Sequence, residues 1–307
     1  MKFKKPLFWN SKNIISILLY PLSLIVLIIN ELKELKSKKK FLIKTICVGN
    51  TYLGGTGKTS LVIKIQSLVN KKFKTVFIKK DYTNQLDEIN LLRTKGELIN
   101  KDSREEALYL ASKKKYELAI LDDGLQQKNI DYDLKIICFN AEDGFGNNYL
   151  LPAGPLRESI NKIRNYDIAF INGEKKNSEL FLKLKSINKN LKIFESKYKP
   201  SNLKEFNLKK KYLMFCGIGN PHEFEKTLVK NKFMIKEKII YPDHYKIPDK
   251  ILNQLKLKAK NENLSLVTTE KDFFRLNKSQ RKNIKFLKIS LEIKNIKKFK
   301  NLLISKL

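Results

Sequence analysis

The chain has 307 residues, 42% of them hydrophobic, which is enough for one large core or two modest ones. Lysine and arginine number 63 against 31 aspartates and glutamates, and the formal charge of +32 favours polyanionic partners: nucleic acid, an anionic membrane surface or phosphorylated substrates. Only His222 and His244 are histidines, so a multi-histidine metal site is excluded, and no zinc or RNA-module signature or basic stretch with interleaved aromatics supports a nucleic-acid partner.

The first element is apolar. Ile14 to Ile29 reads IISILLYPLSLIVLII without a charge, after Lys2, Lys4, Lys5 and Lys12 and ahead of Lys33, Lys36 and Lys38 to Lys40. The run is shorter than the roughly 20 residues of a membrane span. It contains Pro21, expected to kink a helix, and it lacks a small-residue cleavage site. Lysines on both flanks give no asymmetry to orient a span. These features predict an interfacial, half-inserted helix whose basic flanks meet anionic headgroups; a helix buried against the following domain is the alternative.

Next, Ile43–Val48 is a β-branched apolar run that leads into GNTYLGGTGKTS, residues 49–60. Leu61, Ile65, Leu68 and Val69 follow at helical spacing. A strand, a glycine-rich loop and a helix are the setting of a phosphate-binding loop. Gly54, Gly55 and Gly57, with Thr56 between them, free backbone N–H groups to wrap phosphate oxygens, and the helix N-terminus at Lys58, Thr59 and Ser60 adds its dipole. Lys58 is expected to reach the β- and γ-phosphates and Thr59 to ligate Mg²⁺. The pattern G-x-x-x-x-G-K-[ST] is broken at its first glycine by Tyr52, away from the lysine and the hydroxyl.

Further strands are predicted at Thr75–Ile78, Leu118–Leu121, Lys135–Phe139 and Asp167–Ile171, mostly continuous apolar runs of the kind found in a parallel sheet covered on both faces. Asp87 and Glu88 open a short helical run and by themselves say little. LAILDDG ends a strand at Asp122 and Asp123, like a Walker B element whose carboxylate holds Mg²⁺ directly or through water. LLPAGPLRE, residues 150–158, fixes a turn that presents Arg157 and Glu158; by its residues alone it serves structure or a substrate phosphate equally well. Residues 197–211 read as a linker. A second α/β set follows, with strands at Tyr212–Cys216, Lys238–Ile240, Leu264–Thr268 and Phe286–Ile289. Within it lie CGIGNPHEF from Cys216, the pair Asp243-His244, which is either a base with its orienting acid or simply two satisfied polar groups, and TTEKD from Thr268. Cys47, Cys138 and Cys216 sit far apart in apolar runs and read as buried thiols.

Together VGNTYLGGTGKT, Asp87-Glu88, ILDDGLQ, LLPAGPLRE, CGIGNP, PDHY and TTEKD resemble the tetraacyldisaccharide 4′-kinase family of Gram-negative bacteria, in the family's order and from about Leu7 to Arg275. That family's loop also lacks the first Walker glycine. The resemblance implies ATP and Mg²⁺, transfer of the γ-phosphate to the 4′-hydroxyl of a tetraacylated disaccharide 1-phosphate (the lipid A precursor), attachment to the anionic cytoplasmic face of the bacterial inner membrane, and a monomer. It implies an α/β fold with a P-loop NTPase-like layered α/β/α core domain (39–200), a smaller C-terminal α/β domain (201–307), and an N-terminal membrane-associated helix with its basic flank (1–38). The active site is expected between the two domains.

Carried over by motif, Lys58 and Thr59 hold the phosphates and Mg²⁺, Asp122 and Asp123 form the Walker B pair, and Glu88 joins Thr59 and Asp122 at the metal. Asp87 is the implied base toward the sugar hydroxyl, with His244 its partner; Arg157, Glu158 and Asp243 face the substrate. The chain departs from the family where Lys79-Lys80-Asp81-Tyr82 replaces a Ser-Arg-Gly-Tyr run, in a short connection to Asp87, and in Gln127 for a histidine. A partitioning or metal-pump ATPase is disfavoured because Leu53 stands where those loops carry a signature lysine. A non-catalytic nucleotide-binding scaffold is disfavoured by the intact Lys58, Thr59, Asp87 and Asp122.

Overall fold

A computed structural model of the chain describes residues 6–34, 37–81, 86–243 and 245–307. In chain order, helix α1 (Ile14–Glu34) is followed by β1 (Lys44–Gly49), α2 (Lys58–Val69), β2 (Thr75–Lys80), α3 (Leu86–Arg93), β3 (Leu98–Lys101), α4 (Arg104–Lys113), β4 (Leu118–Asp122), β5 (Leu134–Asn140), β6 (Ile168–Asn172), α5 (Ser178–Ile187) and β7 (Lys192–Pro200). Then come β8 (Lys211–Cys216), α6 (Pro221–Lys230), β9 (Met234–Ile240), α7 (Asp249–Asn261), β10 (Leu264–Thr269), α8 (Glu270–Arg275), β11 (Ile284–Leu287), β12 (Ile289–Ile293) and α9 (Ile296–Lys306). The chain forms two units. Among described residues the larger takes 6–81, Gly96–Tyr198 and Leu291–Leu307, and the smaller takes 86–95 and Lys199–Ser290.

In the larger unit the apolar runs become an eight-stranded sheet of order β12-β7-β6-β5-β1-β4-β2-β3, with parallel pairing from β3 through to β7. β1, β4 and β6 are almost wholly buried, as strands covered on both faces must be. Helices α4 and α5 add Ala107, Leu108, Leu180 and Leu184 to the core on one face. Elsewhere α2 buries Leu61, Val62, Ile65 and Val69, and Phe299 of α9 meets the rings of Phe170 and Phe194 edge-on. β1 lies between β4 and β5, and its last residues pair level with Asp122, so the chain leaves β1 and β4 side by side at their carboxyl ends. That is where open parallel sheets bind ligands.

The smaller unit has a parallel sheet of order β11-β10-β8-β9. Alternation along β8 sends Tyr212, Met214 and Cys216 into one core and Leu213 and Phe215 into another. Helix α3, encoded between β2 and β3 of the larger sheet, belongs to this smaller unit.

Several strands differ from the sequence expectation. The run predicted at 286–289 is two strands in different sheets, β11 and β12, divided at Lys288. β9 begins at Met234, ahead of the expected Lys238, and its half-exposed alternation carries no continuous apolar signal by which to find that start. β3 is short and ends in Asn100 and Lys101, while β7 alternates buried and exposed positions into the stretch read as linker. All three cysteines are free and buried, and burial pushes the Cys47 and Cys216 thiols up to about 12.

Helix α1 is inverted for a water-soluble protein. Ser16 and Ser23 are buried, and Ser23 donates to the Leu150 carbonyl at 2.8 Å while Asn30 donates to that of Arg157 at 2.9 Å. Ile14, Ile17, Leu18, Ile25, Ile28 and Leu32 point outward and are more than half exposed. The helix runs through Pro21 and, by length and composition, is long and apolar enough to cross a membrane. Moving each such side chain from water into lipid gains about 1.5–3 kcal/mol. We expect Ile17→Asn, Ile25→Asn and Ile28→Asn together to abolish flotation with anionic vesicles with little change in melting temperature, since each is more than half exposed; unchanged flotation would assign the contact elsewhere.

Candidate active site

The phosphate loop is built by its neighbours. Gly57 caps α2 with φ of 86°, a left-handed conformation. A Cβ there would also lie 2.5 Å from Asn172 Nδ2 and Tyr198 Oη, so both backbone and space demand glycine. Asn172 donates to the Thr56 carbonyl, which fixes the turn before Gly57. Tyr52 is 3% exposed and forms an antiparallel bridge with Leu156. Leu53 N donates to the Pro155 carbonyl at 2.8 Å and Arg157 N to the Thr51 carbonyl at 2.7 Å. Tyr52 therefore replaces a flexible glycine with an anchor that clamps the loop's opening to the LLPAGPLRE turn. Leu53, Gly54 and Gly55 stay exposed at the tip, and Ser60 is half-buried in the first turn of α2.

Around this loop the charged side chains interlock. Lys58 Nζ donates to Asn50 Oδ1 at 3.0 Å and lies 3.8 Å from Asp123 Oδ1. Arg157 Nη1 reaches the same Asn50 oxygen at 3.0 Å and Asp123 Oδ1 at 3.0 Å. Asp123 itself has φ of 61°, and its N–H donates to the Val48 carbonyl, which locks the strand end. Burial alone pushes its carboxyl up, but Lys58, Arg157 and Lys79 outweigh burial and hold it below the ordinary 3.8. Arg104, 5% exposed, donates to the Asp123 carbonyl and to Gln127 Oε1. The Gln127 side chain is thus a hydrogen-bond acceptor for Arg104.

Asp122 is 1% exposed. Its Oδ2 accepts from Thr59 Oγ1 at 3.1 Å and from Lys79 Nζ at 2.9 Å, while Oδ1 has no hydrogen-bond partner among the described residues. Thr59, Lys58, Asp122, Asp123 and Arg157 are therefore brought together. Glu158 is placed differently within the same unit: 2% exposed, it binds Lys128 at 2.8 Å and accepts from the Tyr166 hydroxyl. Burial and that carboxylate push the Tyr166 phenol well above its ordinary value.

In the smaller unit Asp87 is 1% exposed and accepts from Arg275 Nη2 at 2.8 Å. Arg275 Nη1 binds Asp272 at 2.6 Å, and Asp272 also accepts from Gly217 N and from the Thr269 hydroxyl. The motifs CGIGNP and TTEKD thus meet at one buried carboxylate. Burial raises the Asp272 carboxyl despite Arg275. Glu88 pairs with Lys271 and Asp87 with Arg275, which rivets α3 to α8, and Lys95, just beyond α3, pairs with Glu270 at 2.9 Å. Asp243 is exposed; His244 lies outside the described residues.

Asn50, Lys79, Arg104 and Arg275 were not singled out as site residues from the sequence. Asn50 and Arg275 stand within or just after the quoted motifs, and Lys79 stands in the run that departs from the family.

Comparison with known proteins accounts for this combination. The family model described as tetraacyldisaccharide-1-P 4′-kinase matches residues 15–307. A tetraacyldisaccharide 4′-kinase of Pelagibacter ubique is 44% identical over 99% of this chain and 98% of its own length, and one from Rickettsia akari is 32% identical over 96% and 95%. The crystal structure of LpxK from Aquifex aeolicus in complex with ATP covers 95% of this chain and 99% of its own with a TM-score of 0.72; at 22% identity it speaks for the fold. A loop whose missing glycine is a structural tyrosine, an acidic strand end facing it and a match along nearly the whole sequence lead to one statement: the chain belongs to the tetraacyldisaccharide 4′-kinase family.

Proposed function

We infer that the protein phosphorylates the 4′-hydroxyl of the tetraacyldisaccharide 1-phosphate precursor of lipid A, using ATP and yielding the bis-phosphorylated lipid. The observation that carries this reading is a family match from residue 15 to 307 in a chain whose Lys58 and Thr59 still stand beside Asp122 and Asp123. Phosphoryl transfer asks for positioning and charge neutralisation more than covalent help. The amides of Gly54 to Lys58 and the N-terminus of α2 cradle the phosphates of ATP, and Lys58 exchanges Asn50 and Asp123 for the β- and γ-oxygens. Arg157 holds Asn50 and Asp123 in place as Lys58 leaves.

Mg²⁺ fits these residues. It takes oxygen ligands and keeps several waters, and the buried Asp122 Oδ1 lacks a partner beside the Thr59 hydroxyl. Thr59 and Asp122 would hold the ion. When bound it neutralises charge on the transferring phosphoryl group. Asp87 takes the proton of the sugar hydroxyl, with His244 as its partner, and Arg157, Glu158 and Asp243 serve the acceptor side. The outward apolar face of α1 seats a monomer on the cytoplasmic face of the inner membrane, where the acceptor's acyl chains lie.

The test is incubation of purified enzyme with γ-labelled ATP, Mg²⁺ and the disaccharide 1-phosphate in mixed micelles. Labelled bis-phosphorylated lipid is expected. ATP hydrolysis without labelled lipid would instead support a nucleotide-driven switch.

A further inference from the structure

The larger unit carries a second lysine at the phosphate site, a buried one, that the reaction described above does not use. Lys79 follows Ile78, which pairs with Leu121 across β2 and β4, so it emerges level with Asp122. Both side chains are 1% exposed and the ammonium lies 2.9 Å from Asp122 Oδ2. A buried lysine is costly unless paired. Asp122 supplies that pairing.

Its geometry is asymmetric. Lys79 and the Thr59 hydroxyl both donate to Oδ2, and this leaves Oδ1 as the oxygen without a partner among the described residues. The charge surroundings point the same way. Among the described residues Lys58, Lys79 and Arg157 bear on the carboxylates of Asp122 and Asp123, and Arg104 donates to the Asp123 carbonyl beside them. Such a site attracts an anion and repels a free divalent cation.

We propose that Lys79 is a resident cation for Asp122: it neutralises the carboxylate in the nucleotide-free enzyme, turns Oδ1 toward the metal position, and keeps divalent metal out until the metal arrives with a nucleoside triphosphate. The triphosphate brings enough negative charge to reverse the balance, after which a metal ion and the ammonium share the two oxygens of one carboxylate. Lys79 is in this sense a positioning residue acting through Asp122. The inference rests on the reading of this loop as the seat of Mg²⁺ and ATP.

The experiment is a Mn²⁺ titration of nucleotide-free protein followed by electron paramagnetic resonance, with circular dichroism as the check on folding. Wild type and Lys79→Arg are expected to bind Mn²⁺ at this site at least tenfold more weakly than Lys79→Ser. Adding ATP should bring wild-type affinity up to that of the variant. Introducing Asp122→Asn into the Lys79→Ser protein should abolish the gain. Equal Mn²⁺ affinities for wild type and a folded Lys79→Ser would overturn the proposal, as would a gain that survives Asp122→Asn. Should Lys79→Ser fail to fold, wild type decides alone: a tight, saturable Mn²⁺ site without nucleotide overturns it, and Mn²⁺ binding that appears only with ATP supports it. No lipid and no turnover enter the measurement, so failure of transfer to the disaccharide remains a separate result.

Discussion

Lys58→Met is expected to lower turnover by roughly 10²–10³-fold, the cost of deleting one preorganised donor to a developing negative charge. The fold should survive. The lysine side chain is 16% exposed, and its partners Asn50 and Asp123 keep Arg157, which bonds both at 3.0 Å. The loop's shape depends on Gly57, Tyr52 and Asn172 rather than on the ammonium. One physical trace should remain. Asp123 is held below 3.8 against burial by Lys58 first, then Arg157 and Lys79. A carboxylate lowered on folding contributes stability that is complete above the unfolded value and is lost as pH falls through the lowered one. Without Lys58 that contribution shrinks, and acid unfolding should begin at a higher pH than in wild type. Turnover within tenfold of wild type would remove Lys58 from phosphate binding; a neutral-pH melting temperature that collapses would make it a structural residue.

The central strands of the larger sheet were legible because burial on both faces writes itself as an unbroken apolar run, as in TICVG and LAILD. The loop was legible because its chemistry is local: strand, glycines, lysine and hydroxyl within a dozen residues. What escaped was decided at long range. Nothing in LDEINLLR tells that α3 leaves the larger sheet's sequence to lie against α8, since its partners Lys271 and Arg275 stand far along the chain. β7 and β9 alternate with polar residues and so resemble solvated loops. Tyr52 looks like a broken motif until Leu156 appears beside it. Lys79 stands out in the sequence only as part of a run that departs from the resembled family, and its burial against Asp122 shows what it does. In α1 the composition was plain, but the inward serines and Asn30 show the face on which it is rooted.

Asp87→Asn and Arg275→Met should fail in opposite ways. Asparagine keeps the shape of Asp87 and a hydrogen-bond acceptor for Arg275 but has no carboxylate to take a proton, so turnover should fall by roughly 10²–10⁴-fold with little loss of stability. Arg275→Met removes the guanidinium that lies between Asp87 and Asp272, both no more than 2% exposed. Breaking a buried pair from one side costs about 3–5 kcal/mol, here spread over two carboxylates. Burial already raises the Asp272 carboxyl, with Arg275 the largest opposing influence. Without it the folded value rises further above the unfolded one, the folded state binds the proton more tightly, and stability falls as pH rises. Arg275→Met should therefore melt well below wild type at neutral pH and recover on mild acidification, the reverse of the acid response expected from Asp123. Combining it with Asp87→Asn removes one of the two buried charges and should restore part of the melting temperature while the enzyme stays inactive. Were Arg275→Met to melt like wild type at neutral pH, the guanidinium would not be what holds the two carboxylates together, and Asp87 would owe its position to the other contacts of α3.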